Sequence, residues 1–86
     1  MRKRDLMREE FIGLEVEVSA SPHPGYMMSG KVVDETRNTI VIRHDGRDSI
    51  VPKAMNEFTF TYEGEKIKIL GSEVQHRPED RIKRIK

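Results

Sequence analysis

Phe58-Thr59-Phe60-Thr61-Tyr62, then Glu63-Gly64, then Lys66-Ile67-Lys68-Ile69, reads as strand, turn and strand. Apolar residues recur at every second position, so the three aromatics share one face and the two threonines the other. Glu63-Gly64 turns the chain back, and the isoleucines rejoin the aromatic face with the lysines outward. Core packing is the favoured reading of the aromatic row. Stacking on unpaired bases is its functional alternative, with Tyr62 the first candidate to escape burial.

The same period runs upstream. Thr39-Ile40-Val41-Ile42-Arg43 points Ile40 and Ile42 inward, and Ser49-Ile50-Val51 is its return strand. Asp45-Gly46 between them suits the positive backbone dihedrals of a tight hairpin, and Pro52, which lacks a ladder donor, ends the pairing. Met28 to Val33 is a further strand in which Gly30 permits sharp curvature. Asp34 to Asn38 reads as the connection to Thr39. Leu14, Val16, Val18 and Ala20 alternate with Glu15, Glu17 and Ser19 as another half-buried strand, and Ser21-Pro22-His23-Pro24-Gly25 breaks it. Near the N-terminus, Asp5 is placed to cap a short helix from Leu6 to Phe11, with Met7 and Phe11 on one face and Gly13 marking its end. At the other end Ile82 and Ile85 are spaced to let a short helix pack. Five or six short strands in 86 residues predict one all-β domain, a small and strongly curved antiparallel sheet or barrel with short helical terminal extensions.

Composition narrows the chemistry. Hydrophobic residues are 35% of the chain and charged residues 36%, so the core is thin and a permanent partner would add burial. With no Cys there are no disulfides, thiolate nucleophiles or cysteine metal ligands. No stretch approaches the length of a membrane span and no export signal is read, so a cytoplasmic location without membrane contact is expected. His23, His44 and His76 are scattered, and no metal site is expected in the chain. The carboxylate pairs Glu9-Glu10, Asp34-Glu35 and Glu79-Asp80 read as solvated, and Glu79 and Asp80 fit the first turn of a helix after Pro78. No serine lies in a nucleophile elbow, which disfavours a self-contained enzyme. The net charge of +1 is a weak sign of a nucleic-acid partner, but Arg77 to Lys86 carries five basic and two acidic residues. Lys31, Arg37, Arg43, Lys53, Lys66 and Lys68 are further cations on the body.

Val32-Val33-Asp34-Glu35-Thr36-Arg37-Asn38-Thr39-Ile40-Val41-Ile42, Val51-Pro52-Lys53, Phe58-x-Phe60 and Arg77-Pro78-Glu79-Asp80-Arg81-Ile82-Lys83 form an ordered set that starts from Ile12-Gly13-Leu14. In that order they resemble the archaeal ribonuclease P protein component 1 family, homologous to the eukaryotic ribonuclease P and MRP subunit called Pop-four. The resemblance implies an Sm-like barrel core over 14–75, an N-terminal extension or short helix over 1–13 and a basic C-terminal extension over 76–86. It implies a noncatalytic subunit of an endoribonuclease whose active centre is RNA, removing the 5′ leader from precursor tRNA.

By the same resemblance the chain would stabilise the RNA specificity domain, beside a zinc-ribbon protein subunit. No cofactor is expected in this chain; zinc would belong to the partner and magnesium to the holoenzyme RNA. Arg37, Lys53, Arg77, Arg81, Lys83 and Arg84 are the expected RNA-binding residues, and none is expected to be catalytic. Asp34, Glu35 and Asn38 are expected to organise a turn. Asp48-Ser49-Ile50 stands where many relatives carry a basic residue, which counts against RNA contact along that edge. The reading from another class is a small protein-binding adaptor in a different ribonucleoprotein, with RNA affinity secondary.

Overall fold

The two alternating segments around Glu63-Gly64 form the hairpin their period predicts. In the computed structural model, which describes residues 2–84 without the side chains of Arg2, Arg81, Lys83 and Arg84, six strands build one antiparallel sheet. They are β1 (Glu15–Ala20), β2 (Ser29–Glu35), β3 (Thr39–His44), β4 (Arg47–Pro52), β5 (Glu57–Tyr62) and β6 (Glu65–Leu70), in the order β4-β3-β2-β1-β5-β6. Glu63 and Gly64 have φ of 50° and 80°, and Asp45 and Gly46 of 50° and 75°, the left-handed pairs that tight hairpins between twisted strands require. Helices α1 (Arg2–Met7) and α2 (Pro78–Arg84) lie at the two ends of the chain.

Sheet order forces curvature. Four residues, Lys53 to Asn56, join β4 to β5, which are four strand intervals apart, or roughly 19 Å across a flat sheet. Five extended Cα steps reach at most about 18 Å, and this connection is not extended: Met55 turns through a φ of 64°. The sheet therefore curls, helped by irregularities between Val18 and Ala20 in β1 and between Val32 and Asp34 in β2. At Gly30 in β2, an added Cβ would run into the Arg43 carbonyl, so glycine admits the close approach of β3. Curling brings the ends of the outermost strands together without a β4–β6 ladder. Gly71, directly after β6, lies so close over the Lys53 backbone that a Cβ there would overlap the Lys53 carbonyl.

The inner face carries the expected core. Ile40, Ile42, Phe58, Phe60 and Ile69 are fully buried, and Tyr62 is half-buried at the edge of the cluster. Four expectations are corrected. The N-terminal helix spans Arg2–Met7, so Asp5 lies inside it and does not cap it. Beyond the helix, Phe11 is fully buried, with its ring centroid 4.5 Å from that of Phe60. Gly13, at φ 94°, serves the turn into β1 instead of ending the helix. Ala20 is exposed, because the irregularity at Ser19 resets the alternation. Asp34 and Glu35 belong to β2 and not to the connection, which shrinks to Thr36–Asn38. The Thr36 amide donates to the Thr39 carbonyl at 2.9 Å, and the two threonine hydroxyls share a 2.6 Å hydrogen bond.

Candidate nucleic-acid interface

The β2 irregularity has a chemical consequence. Strict alternation from Val32 would turn Asp34 inward, but the extra residue at Val33 exposes Asp34 and buries Glu35. Opposite it, Lys53 continues the inward period of Val51 past Pro52. Lys53 Nζ donates to Glu35 Oε2 at 2.8 Å, to the Val74 carbonyl at 2.9 Å and to the His76 carbonyl at 3.1 Å, and both charged side chains are 0% exposed. An ammonium has three protons, and these three oxygens match them in number. Desolvating such a pair costs several kcal/mol per ion, offset only where hydrogen bonding is this complete. Lys53 is thus corrected from an RNA-facing cation to a buried one, out of reach of a phosphate. Glu35 is likewise its counter-ion and not a turn organiser.

The carbonyls that Lys53 holds belong to the segment between the 3₁₀ turn Gly71–Val74 and α2. His76 contributes its backbone, donating its amide to the Val74 carbonyl at 2.8 Å, while Arg77, the next residue, is exposed. Arg77 shares the lining of a cleft of about 230 Å³ with Thr36, Arg37, Pro78 and Glu79, with Glu35 beneath. Two expected site residues forty positions apart therefore meet. Neither guanidinium has an ion-pair partner among the described residues. Arg81, Lys83 and Arg84 fall within α2, but their side chains lie outside the described residues, as does Ile85. Glu79 and Asp80 occupy the first turn of α2, as expected from Pro78.

The other basic candidates gather on the outer sheet face, where carboxylates interleave with them. One cross-strand row reads Asp48, Arg43, Lys31, Glu15, Thr61, Lys66, and the next reads Ser29, Glu17, Thr59, Lys68. Arg43 forks onto Asp48 through Nε at 2.7 Å and Nη2 at 3.1 Å; this hydrogen-bonded pairing lowers the Asp48 carboxyl and raises the Arg43 guanidinium from their ordinary values. Lys68 lies 3.7 Å from Glu57. Lys31, Arg43, Lys66 and Lys68 thus stand against Glu15, Glu17, Asp48 and Glu57, and the groove of about 550 Å³ in this face is lined by Glu15 and Glu17 against Lys31 and Lys66, with no excess of positive charge. Among the described residues no three His, Asp or Glu side chains converge as a metal-binding group would, and no helix is long and apolar enough to cross a membrane.

Comparison with known proteins adds identity to this geometry. The family model for ribonuclease P/MRP subunit p29 matches residues 4–84. Ribonuclease P protein component 1 of Methanocaldococcus jannaschii is 43% identical over 82 residues, covering 93% of this chain and 86% of that protein. The protein of the same name from Methanothermobacter thermautotrophicus is 46% identical over 84 residues, covering 94% and 90%. A solved structure of a homologue of the human RNase P protein Rpp29 superposes with a TM-score of 0.63 at 45% identity, covering 86% of this chain and 99% of that one. The match runs through both clusters described above, the buried Glu35–Lys53 pair and the Arg37–Arg77 cleft, and through all six strands: the chain belongs to the p29 family of ribonuclease P/MRP subunits.

Proposed function

We propose that the chain is an RNA-binding subunit of ribonuclease P that assists RNA-catalysed removal of the 5′ leader from precursor tRNA by stabilising the RNA specificity domain. Family membership implies the company of the ribonuclease P RNA and of other protein subunits. The observation that supports direct RNA contact is the exposed Arg37–Arg77 cleft, where two guanidiniums with no ion-pair partner among the described residues face solvent. Folding RNA crowds like-charged phosphates together, and cations on a rigid surface reduce that repulsion without touching the reacting bond. Arg81, Lys83 and Arg84 extend the same positive segment along α2. A zinc-ribbon subunit is the protein partner on this reading, holding the zinc, while magnesium is held by the RNA and its substrate in the cytoplasm.

Reconstitution tests the proposal. Precursor-tRNA cleavage is measured across magnesium concentrations with the cognate RNA, adding and omitting this chain and the zinc-ribbon subunit. The chain is expected to lower the magnesium requirement of the RNA and to bind it with a steep inverse dependence on salt. Association with the partner subunit alone, insensitive to salt and without effect on cleavage, would replace RNA binding with the adaptor role.

A further inference from the structure

We propose that the buried Lys53–Glu35 pair is a strut that holds Arg77 across from Arg37, so that the two guanidiniums clamp one phosphodiester of the bound RNA. This rests on the RNA-binding reading above and adds to it a defined subsite and a positioning residue behind it.

Three observations converge. First, the ammonium joins three separate parts of the chain: Glu35 at the end of β2, Lys53 after β4, and the Val74 and His76 carbonyls after β6. Second, two of the anchored groups adjoin the cleft. Glu35 lines it and lies two residues before Arg37, and His76 is one residue before Arg77, so the strut joins the two segments that carry the arginines. The Lys53 amide also donates to the Asn38 carbonyl at 2.7 Å, which ties the same residue to the other side of the Arg37 turn. Third, the strut is electrically neutral as a pair, so it fixes geometry without satisfying an anion itself. That leaves the exposed positive charge of the cleft to Arg37 and Arg77.

Arginine suits this task because its planar fork bonds two phosphate oxygens at once, and two forks from opposite walls enclose a single tetrahedral anion. The gain depends on the walls being held before binding, since an arginine on a loose segment must be ordered at the moment of contact. Glu79 on the rim opposes an anion there and limits how the phosphate enters.

The absence of cysteine makes the test direct. Spin labels at Asn38→Cys and Asp80→Cys, both exposed positions, report the distance across the cleft in the full-length chain. The parent should show a narrow distribution. Glu35→Leu/Lys53→Met, which replaces the pair by apolar side chains and avoids an unpaired buried charge, should retain the sheet by circular dichroism and broaden that distribution. In parallel, binding to the cognate ribonuclease P RNA is titrated at low salt. Arg77→Ala should weaken the parent by about tenfold or more, as loss of a charged hydrogen-bonded contact does. The strutless variant should lose a similar amount, and adding Arg77→Ala to it should cost less than about twofold more, because the contact is already lost.

An unchanged distance distribution overturns the strut. Full additivity of the RNA losses, or parent affinity in the strutless variant, overturns its link to the clamp. Unchanged affinity for both Arg37→Ala and Arg77→Ala in the parent removes the cleft from RNA contact and overturns the clamp, while the spin-label distance still judges the strut by itself.

Discussion

Lys53 shows how one residue type serves opposite ends depending on which way the strand period points it. An exposed lysine is a mobile phosphate ligand; this one is fully enclosed and spends all three protons inside the protein. Removing one partner of such a pair leaves the other charged and unpaired in the core. Lys53→Ala is therefore expected to lower folding stability by about 3–5 kcal/mol, comparable with truncating the fully buried Phe60. Urea denaturation of both variants measures this, and a loss below about 1 kcal/mol for Lys53→Ala would place its ammonium in solvent. The inward direction of Lys53 is readable from Val51 two positions earlier. That of Glu35 is not, since it follows from an irregularity in β2 that no local pattern announces.

Between elements, short polar links carry the geometry. Lys3 in α1 reaches Glu73 in the 3₁₀ turn at 3.0 Å, tying the start of the described chain to the segment that leads into α2. Partial burial raises the Glu73 carboxyl, but the Leu70 amide and the Lys3 ammonium outweigh it, and the net value is lowered. A lowered carboxyl contributes stability above its unfolded value of 4.5 and loses it as pH falls through the folded value. Parent and Glu73→Gln should therefore differ at neutral pH and converge as the solution is acidified below that value. Both partners are a third or more exposed, so the difference should be no more than about 1 kcal/mol; denaturation midpoints across pH measure it. At the first turn of α2, Glu79 favours the helix but faces the cleft. Glu79→Gln should tighten RNA binding about twofold at low salt, an effect that vanishes at high salt, while costing roughly 0.5 kcal/mol of stability. A titration at two salt concentrations decides it.

At the scale of the whole molecule, the sheet curls until the residues that follow its outer strands cross, Gly71 over Lys53. Every atom that a Gly71 side chain would meet first is backbone, so no rotamer relieves it. Gly71→Ala should destabilise the fold by about 1–3 kcal/mol, whereas Gly25→Ala, with open space around it, should stay within about 0.5 kcal/mol; thermal unfolding of the pair checks both. Six strands, two tight hairpins, the buried aromatic and isoleucine faces and the family resemblance were all present in the order of the residues. The resemblance rests on blocks ordered along the chain, and the rest depends on neighbours one to four positions apart, the range over which alternation and turn chemistry act. The meeting of Arg37 with Arg77, the pairing of the outer-face lysines with carboxylates and the enclosure of Lys53 with Glu35 arise from contacts across 11 to 40 positions. The outer-face pairs need the strands to be aligned and the other two need the sheet to curl, because the strand period tells a side chain which face it belongs to and says nothing of which distant charge waits there.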